Sequence, residues 1–133
     1  PCSPDEAINA ADDMVERLFD AWLPRNIVLM TTGKRHGEHV SRVEVNGRDQ
    51  YERSLWDGDE PFYTTVGKFK GLERPVVVIA VNGFLPSANP RDVLYVALSR
   101  ATDAAVVCGD PDQIEAVIGT EAMLGWVRTP LSS

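Results

Sequence analysis

The chain has few cysteines, no long apolar run and no leader-like start, and each shortage excludes a class of protein. The two cysteines, Cys2 and Cys108, are too far apart for the spacing of a metal site. Such usage is typical of a reducing compartment, so we expect a cytoplasmic protein. No apolar run approaches the roughly 18 residues of a spanning helix, and no basic-then-apolar leader opens the sequence. We therefore expect no membrane partner.

Basic residues are also in short supply. The chain has 13 lysines and arginines and 20 aspartates and glutamates, which gives a formal net charge of −7. This balance argues against a broad basic surface for nucleic acid, but a narrow contact through a few loop residues stays open. The 44% hydrophobic content predicts one domain over residues 1–133, with a peripheral tail at 119–133. The first residue is not methionine, which suggests a piece of a longer chain.

Several catalytic signatures are absent. The two Gly-Lys pairs, at 33–34 and 67–68, lack the preceding glycine and the following hydroxyl residue of a phosphate loop. No serine stands in a Gly-x-Ser-x-Gly elbow. His36 and His39 have no carboxylate or cysteine pattern around them, so no metal site is predicted. The chain is therefore not expected to hold a nucleoside triphosphate by itself in the P-loop manner.

Strand and helix patterns alternate along the rest of the chain. Short β-type runs occur at 26–32, 62–66, 75–81 and 104–108. Helical patterns run from Ser3 to just before Pro24, from Asn89 to about Ala101, and from Pro111 to Gly119. This alternation predicts an α/β class with three layers: a mainly parallel sheet flanked by helices, with right-handed crossovers.

The apolar residues between Gly33 and Pro61 show no clear helix or strand periodicity. Valines at 40, 43 and 45 suggest a little extended structure, with a turn at 46–47. We expect no long helix in this segment.

A polar loop at 67–73 leads into the third predicted strand and is a candidate binding loop. It follows a strand end, where ligands of open parallel sheets gather. Gly71 removes a side chain where a phosphate or backbone must come close. Lys68 and Lys70 can neutralise phosphate, and Glu73 can accept a hydrogen bond from a ribose hydroxyl. The alternative is a solvated connection with a glycine turn, which spacing alone favours.

Arg100 is the second candidate, at the end of an apolar helix where the next strand begins. One account is a cation favoured by the negative end of the helix dipole, worth about 0.3–1 kcal/mol. The other is an arginine directed at a γ-phosphate, which its planar, permanently charged fork suits. The residues alone favour neither of these two explanations of Arg100.

Two tandem segments resemble motifs of UvrD/Rep-like superfamily 1 DNA helicases. Residues 65–78, Thr-Val-Gly-Lys-Phe-Lys-Gly-Leu-Glu-Arg-Pro-Val-Val-Val, are similar to motif V, whose core reads Thr-x-x-x-x-Lys-Gly-Leu-Glu. Residues 95–102, Tyr-Val-Ala-Leu-Ser-Arg-Ala-Thr, resemble motif VI, and residues 26–32 resemble the strand of motif IV. The resemblance covers about residues 26–110. It implies a second RecA-like motor domain, the C-terminal half of an ATP-dependent DNA helicase of the kind used in DNA repair.

The resemblance also implies roles for individual residues. In that family ATP with Mg²⁺ lies between two RecA-like domains and is bound mainly by the N-terminal one, a partner that these residues do not include. Arg100 would be the catalytic arginine finger and an ATP contact. Gly71 and Glu73 would line the ATP cleft, and Thr65 and Lys68 would contact single-stranded DNA. No ATPase activity is expected from such a domain alone.

The chain departs from the family pattern at two places. The family usually carries an arginine after the motif IV strand, where residues 31–33 are Thr-Thr-Gly here and Lys34 or Arg35 is the nearest substitute. The histidine common in motif V is Gly67. The missing arginine favours a second hypothesis, a non-catalytic nucleic-acid or protein binding or regulatory module that kept the helicase fold. The intact Lys-Gly-Leu-Glu and Arg100 favour the helicase half. An unrelated small α/β domain is a third.

Overall fold

Four parallel strands form one sheet in the computed structural model, which describes residues 4–69, 71–84, 86, 89–110, 112 and 114. The sheet order is β2-β1-β3-β4, with β1 at Ile27–Thr31, β2 at Phe62–Thr65, β3 at Arg74–Ala80 and β4 at Ala101–Cys108. The described helices are α1 Pro4–Leu18, α2 Gly37–Asn46, α3 Arg48–Asp57 and α4 Pro90–Leu98. Single 3-10 turns occur at Pro24–Asn26 and Gly67–Phe69.

Helices cover both faces of the sheet. Because alternate strand residues point to opposite faces, a strand between two helical layers must be apolar on both sides, and β1 and most of β3 are buried throughout. One face packs against α1 through a cluster that includes Met14, Leu29 and Val78. The other packs against α3, the 66–73 segment and α4, in a cluster that includes Tyr51 and Leu94. The predicted three-layer α/β architecture is confirmed.

The predicted strands are all present, with small shifts at their ends. β4 begins at Ala101 rather than 104, because Ala101 already pairs with Arg74 across an irregularity in the ladder. α4 accordingly ends at Leu98, before the predicted 101. The helix predicted after Pro111 and the tail at 119–133 lie outside the described residues, apart from Asp112 and Ile114. So do Ser3 and Cys2.

The extended structure suggested for the valines at 40, 43 and 45 is wrong. All three lie in α2, and α3 follows immediately after Gly47, whose φ of 84° makes the turn predicted there. The apolar face of these helices is too narrow to produce a clear helical pattern. In addition, α2 is capped by His36, whose ring accepts a hydrogen bond from the Glu38 N–H, and histidine is not among the usual N-cap residues.

No helix in the described part of the chain is long and apolar enough to cross a membrane.

Tyr51 closes the exposed edge of the sheet. β2 is an outer strand, so the backbone groups of Tyr63 on its free side have no neighbouring strand. The Tyr51 hydroxyl donates to the Tyr63 carbonyl at 2.7 Å and accepts from the Tyr63 N–H at 2.8 Å. One side chain of α3 therefore replaces a missing strand at this position.

We expect Tyr51→Phe to lower the free energy of unfolding by about 1–3 kcal/mol, since both Tyr63 groups lose a buried partner. Urea unfolding would measure the change. The matched control is Tyr95→Phe, because Tyr95 is 42% exposed and its hydroxyl has no partner in the described structure. That control should cost less than about 0.5 kcal/mol. Equal effects of the two changes would contradict the edge role of Tyr51.

Candidate functional site

The segment from Val66 to Glu73 connects two parallel strands, and its described residues, all but Lys70, form no α-helix. It begins at the carboxyl end of β2, where the Val66 N–H donates to the Thr31 carbonyl at 3.1 Å. It ends at the amino end of β3, so it crosses the height of the sheet. Phe69, at its middle, is fully buried in the core. The predicted binding loop is therefore a short crossover, and its two ends lie at opposite ends of the sheet.

At the amino end the crossover meets the end of α4. The Arg74 N–H donates to the Arg100 carbonyl at 3.0 Å, which places Glu73 beside Arg100. Glu73 and Gly71 are both exposed. Gly71 has a φ of 83°, and a Cβ there would meet nothing within 4 Å, so backbone conformation rather than close approach requires this glycine. The structure thus brings Glu73 and Arg100 to one edge, and Gly71 lies two residues before Glu73 in the crossover.

The Arg100 side chain folds back on its own helix end. Its Nε donates to the Val96 carbonyl at 3.3 Å, and its guanidinium also contacts the Ser99 hydroxyl. The first bond satisfies a carbonyl in the last turn of α4, as the helix-dipole account requires. Within the described structure no carboxylate pairs with the guanidinium. Its charge therefore stays available to an anionic ligand.

Arg74 anchors this edge from inside the protein. Its guanidinium is buried and donates to the Ile27 carbonyl at 2.7 Å and to the Leu55 carbonyl at 2.8 Å. Burial lowers the pKa of Arg74 to about 10. Sequence reasoning did not single out this residue, although an arginine that opens an apolar strand is an unusual placement. Arg74 ties the start of β3 to the start of β1 and the end of α3.

The predicted DNA-binding residues lie at the other end of the crossover. Thr65 is half-buried at the carboxyl end of β2, and Lys68 is exposed in the 3-10 turn that follows. The Lys68 N–H faces the Thr65 hydroxyl at 3.4 Å. These two residues are close to each other. They are separated from the Arg100 edge by the length of the crossover.

The loop after β1 is tied to the loop after β3. The Asn82 side chain accepts from the Gly33 N–H at 2.8 Å and donates to the Lys34 carbonyl at 2.9 Å. A Cβ on Gly33 would lie 3.0 Å from the Asn82 carbonyl oxygen, so a larger residue there would require Asn82 to shift by a few tenths of an ångström. Lys34 and its exposed neighbour Arg35 are thereby held at the carboxyl end of the sheet. They are not brought together with Arg100.

Two buried histidines face this region. His36 links α2 to α1, because its Nε2 lies 2.7 Å from an Asp12 carboxylate oxygen while its Nδ1 caps the helix. His39 is 4% exposed and its Nδ1 has no hydrogen-bond partner. Burial, with a smaller contribution from the cations of Arg35 and Lys68, lowers the pKa of His39 to about 4. At neutral pH the His39 ring is therefore uncharged.

No group of three or more His, Cys, Asp or Glu side chains in the described part is placed to hold a metal ion.

The parallel sheet flanked by helices is that of an α/β domain of the RecA-like type. Residues 62–108 match the family model of the UvrD-like helicase C-terminal domain. This segment runs from β2 through β4 and contains both motifs, so the resemblance to UvrD-like helicases is confirmed and the domain is helicase-related. No curated protein matches the chain.

His39 makes the stability of the fold depend on pH. Its pKa is about 4 in the folded state against an ordinary 6.5, so the unfolded chain takes up a proton first as the pH falls. The contribution of His39 to the free energy of unfolding is complete above about pH 6.5 and is lost as the pH falls toward 4. Between roughly pH 7.5 and 5 the loss is about 2 kcal/mol. Urea unfolding at both values would show this loss in the natural chain and not in His39→Gln. The same pH dependence in both proteins would contradict it.

Proposed function

We propose that this domain is the C-terminal motor half of an ATP-dependent DNA helicase. It would form one wall of an ATP cleft whose other wall belongs to an N-terminal RecA-like domain. The observation that carries the proposal is the main-chain hydrogen bond between Arg74 and Arg100, because it joins the end of motif V to the arginine of motif VI. The family match over residues 62–108 supports the same assignment.

The Arg100 edge has the chemistry of an arginine finger. ATP with Mg²⁺, held mainly by the N-terminal domain, would supply the transferred phosphoryl group. Arg100 would then stabilise negative charge on the γ-phosphate, for which its guanidinium has no competing carboxylate in the described structure. Glu73 and Gly71 are exposed beside it and would line the nucleotide. The isolated domain has no expected ATPase activity, since it lacks a phosphate loop.

The other end of the crossover suits a single DNA strand. Lys68 offers a phosphate contact, and Thr65 offers a hydroxyl next to it. The same segment ends at Glu73, beside Arg100, and its buried Phe69 is held in the core. A movement of the Lys68 end would therefore be transmitted along the backbone to Glu73. This arrangement supports coupling between the strand and the nucleotide.

On this proposal the parent protein would be an ATP-hydrolysing enzyme of DNA repair in the cytoplasm.

A second candidate function is a non-catalytic binding or regulatory module. The observation that favours it is the loop after β1, where a Cβ on Gly33 would crowd Asn82 and the Lys34 carbonyl accepts a hydrogen bond from the Asn82 side chain. Lys34 and Arg35 are separated from the Arg100 edge by roughly the length of β3, which has seven residues, or about 23 Å at ~3.3 Å per residue. Arg100 would then act without a second arginine from this domain.

Arg100→Ala in the full-length protein should reduce DNA-stimulated ATP hydrolysis by about 10³-fold or more, as expected for loss of an arginine finger. The matched control is Arg91→Ala, an exposed arginine in the first turn of α4, which should leave hydrolysis unchanged. Steady-state phosphate release measures both. Near-normal turnover in Arg100→Ala would reject the finger and favour the non-catalytic module.

Lys68→Ala should weaken single-stranded DNA binding and reduce the slope of log K against log salt by about 0.7, the value for one lost phosphate contact on a single strand. Fluorescence polarisation over a salt series gives this slope. Arg17→Ala is the control, because Arg17 is exposed on α1, on the opposite face of the sheet. An unchanged slope in Lys68→Ala would remove Lys68 from the DNA contact.

A further inference from the structure

The Ser99 hydroxyl lies at the centre of a small hydrogen-bond cluster at the end of α4. It donates to the Val96 carbonyl at 2.7 Å. It accepts from the Arg100 Nε at 3.3 Å and from the Arg100 Nη2 at 3.1 Å. A serine hydroxyl has one hydrogen and two lone pairs, so these three bonds use its full capacity. Ser99 is exposed, so the cluster lies at the surface of the domain.

The contacts from Arg100 distinguish Ser99 from an ordinary serine at a helix end. A serine hydroxyl that bonds to a carbonyl three residues earlier is a common local pattern. α3 contains an example, because the Ser54 hydroxyl donates to the Tyr51 carbonyl. Within the described structure no guanidinium donates to Ser54. The helix-end bond alone therefore does not account for the two further bonds that Ser99 makes.

In the described structure uncharged oxygens hold the Arg100 guanidinium. Arg42 and Arg48 pair with carboxylates, which offset their charge. The partners of Arg100 are instead the Val96 carbonyl and the Ser99 hydroxyl, which restrict the side chain without neutralising it. A guanidinium has five N–H donors, and the two on Nη1 have no partner among the described residues. The result is an oriented cation with donors left for an anion.

We propose that Ser99 is a positioning residue for Arg100, whose guanidinium plane its hydroxyl fixes so that Nη1 is free to meet the γ-phosphate. The inference rests on the proposed function and adds to it a residue that acts through the arginine finger. An arginine side chain has many rotamers, and a cation stabilises developing charge best when it is oriented before the reaction. Ser99 supplies this order and does not itself touch the nucleotide.

The test measures DNA-stimulated ATP hydrolysis by the full-length protein over a range of ATP concentrations. We expect Ser99→Ala to lower kcat by about tenfold, the effect of one lost hydrogen bond to a charged group. KM for ATP should stay unchanged, because the proposed N-terminal domain holds most of the nucleotide. Ser99→Thr keeps the hydroxyl and should retain most of the activity. The matched control Ser54→Ala removes the same kind of helix-end bond where no arginine is attached, and should leave kcat unchanged.

A double variant separates positioning from a general effect on the helix end. Ser99→Ala combined with Arg100→Ala should be no slower than Arg100→Ala alone, because the hydroxyl acts only through the guanidinium. Losses that multiply in the double variant, or equal losses in Ser99→Ala and Ser54→Ala, would overturn the positioning role. An unchanged kcat in Ser99→Ala, with a large loss in Arg100→Ala, would reject Ser99 and retain the finger. Near-normal turnover in Arg100→Ala would reject both.

Discussion

The buried guanidinium of Arg74 is the interaction on which the geometry of the candidate site depends. Removing a cation from water is costly unless hydrogen bonds replace its hydration. Arg74 obtains them from the carbonyls of Ile27 and Leu55, while its backbone N–H bonds to Arg100. Four separate parts of the chain therefore meet at one residue: β1, α3, the start of β3 and the end of α4. Movement of β1 or α3 would leave the buried charge without one of its acceptors, and movement of the end of α4 would leave the Arg74 N–H without its partner.

This anchor ties β1, α3, β3 and the end of α4 together at the amino end of the sheet. Ligands of open parallel sheets usually gather at the carboxyl ends of the strands. Here the residues assigned to the nucleotide lie at the amino end, and those assigned to the strand lie at the carboxyl end. The crossover at 66–73 spans the two, with Phe69 holding its middle in the core. On the proposed function, this one segment would link the nucleotide site to the strand site.

The distribution of charge is compatible with the proposed contact between an acidic chain and DNA. The net charge of −7 acts over the whole surface. Near His39, however, the cations of Arg35, Lys68 and Arg48 add to burial in keeping that ring neutral. A contact of this kind depends on a few cations at short range, where screening by salt is weakest.

The sequence by itself determined the α/β class, the strand positions and the two helicase motifs, because apolar periodicity and motif spacing are local properties. Only the tertiary structure decided the rest. α2 and α3 were missed because their narrow inward faces and the unusual His36 cap produce little local signal. The anchoring role of Arg74 and the burial of His39 depend on acceptors and neighbours far away in the chain. Which predicted site residues share an edge also depends on pairing between distant strands, which no local pattern encodes.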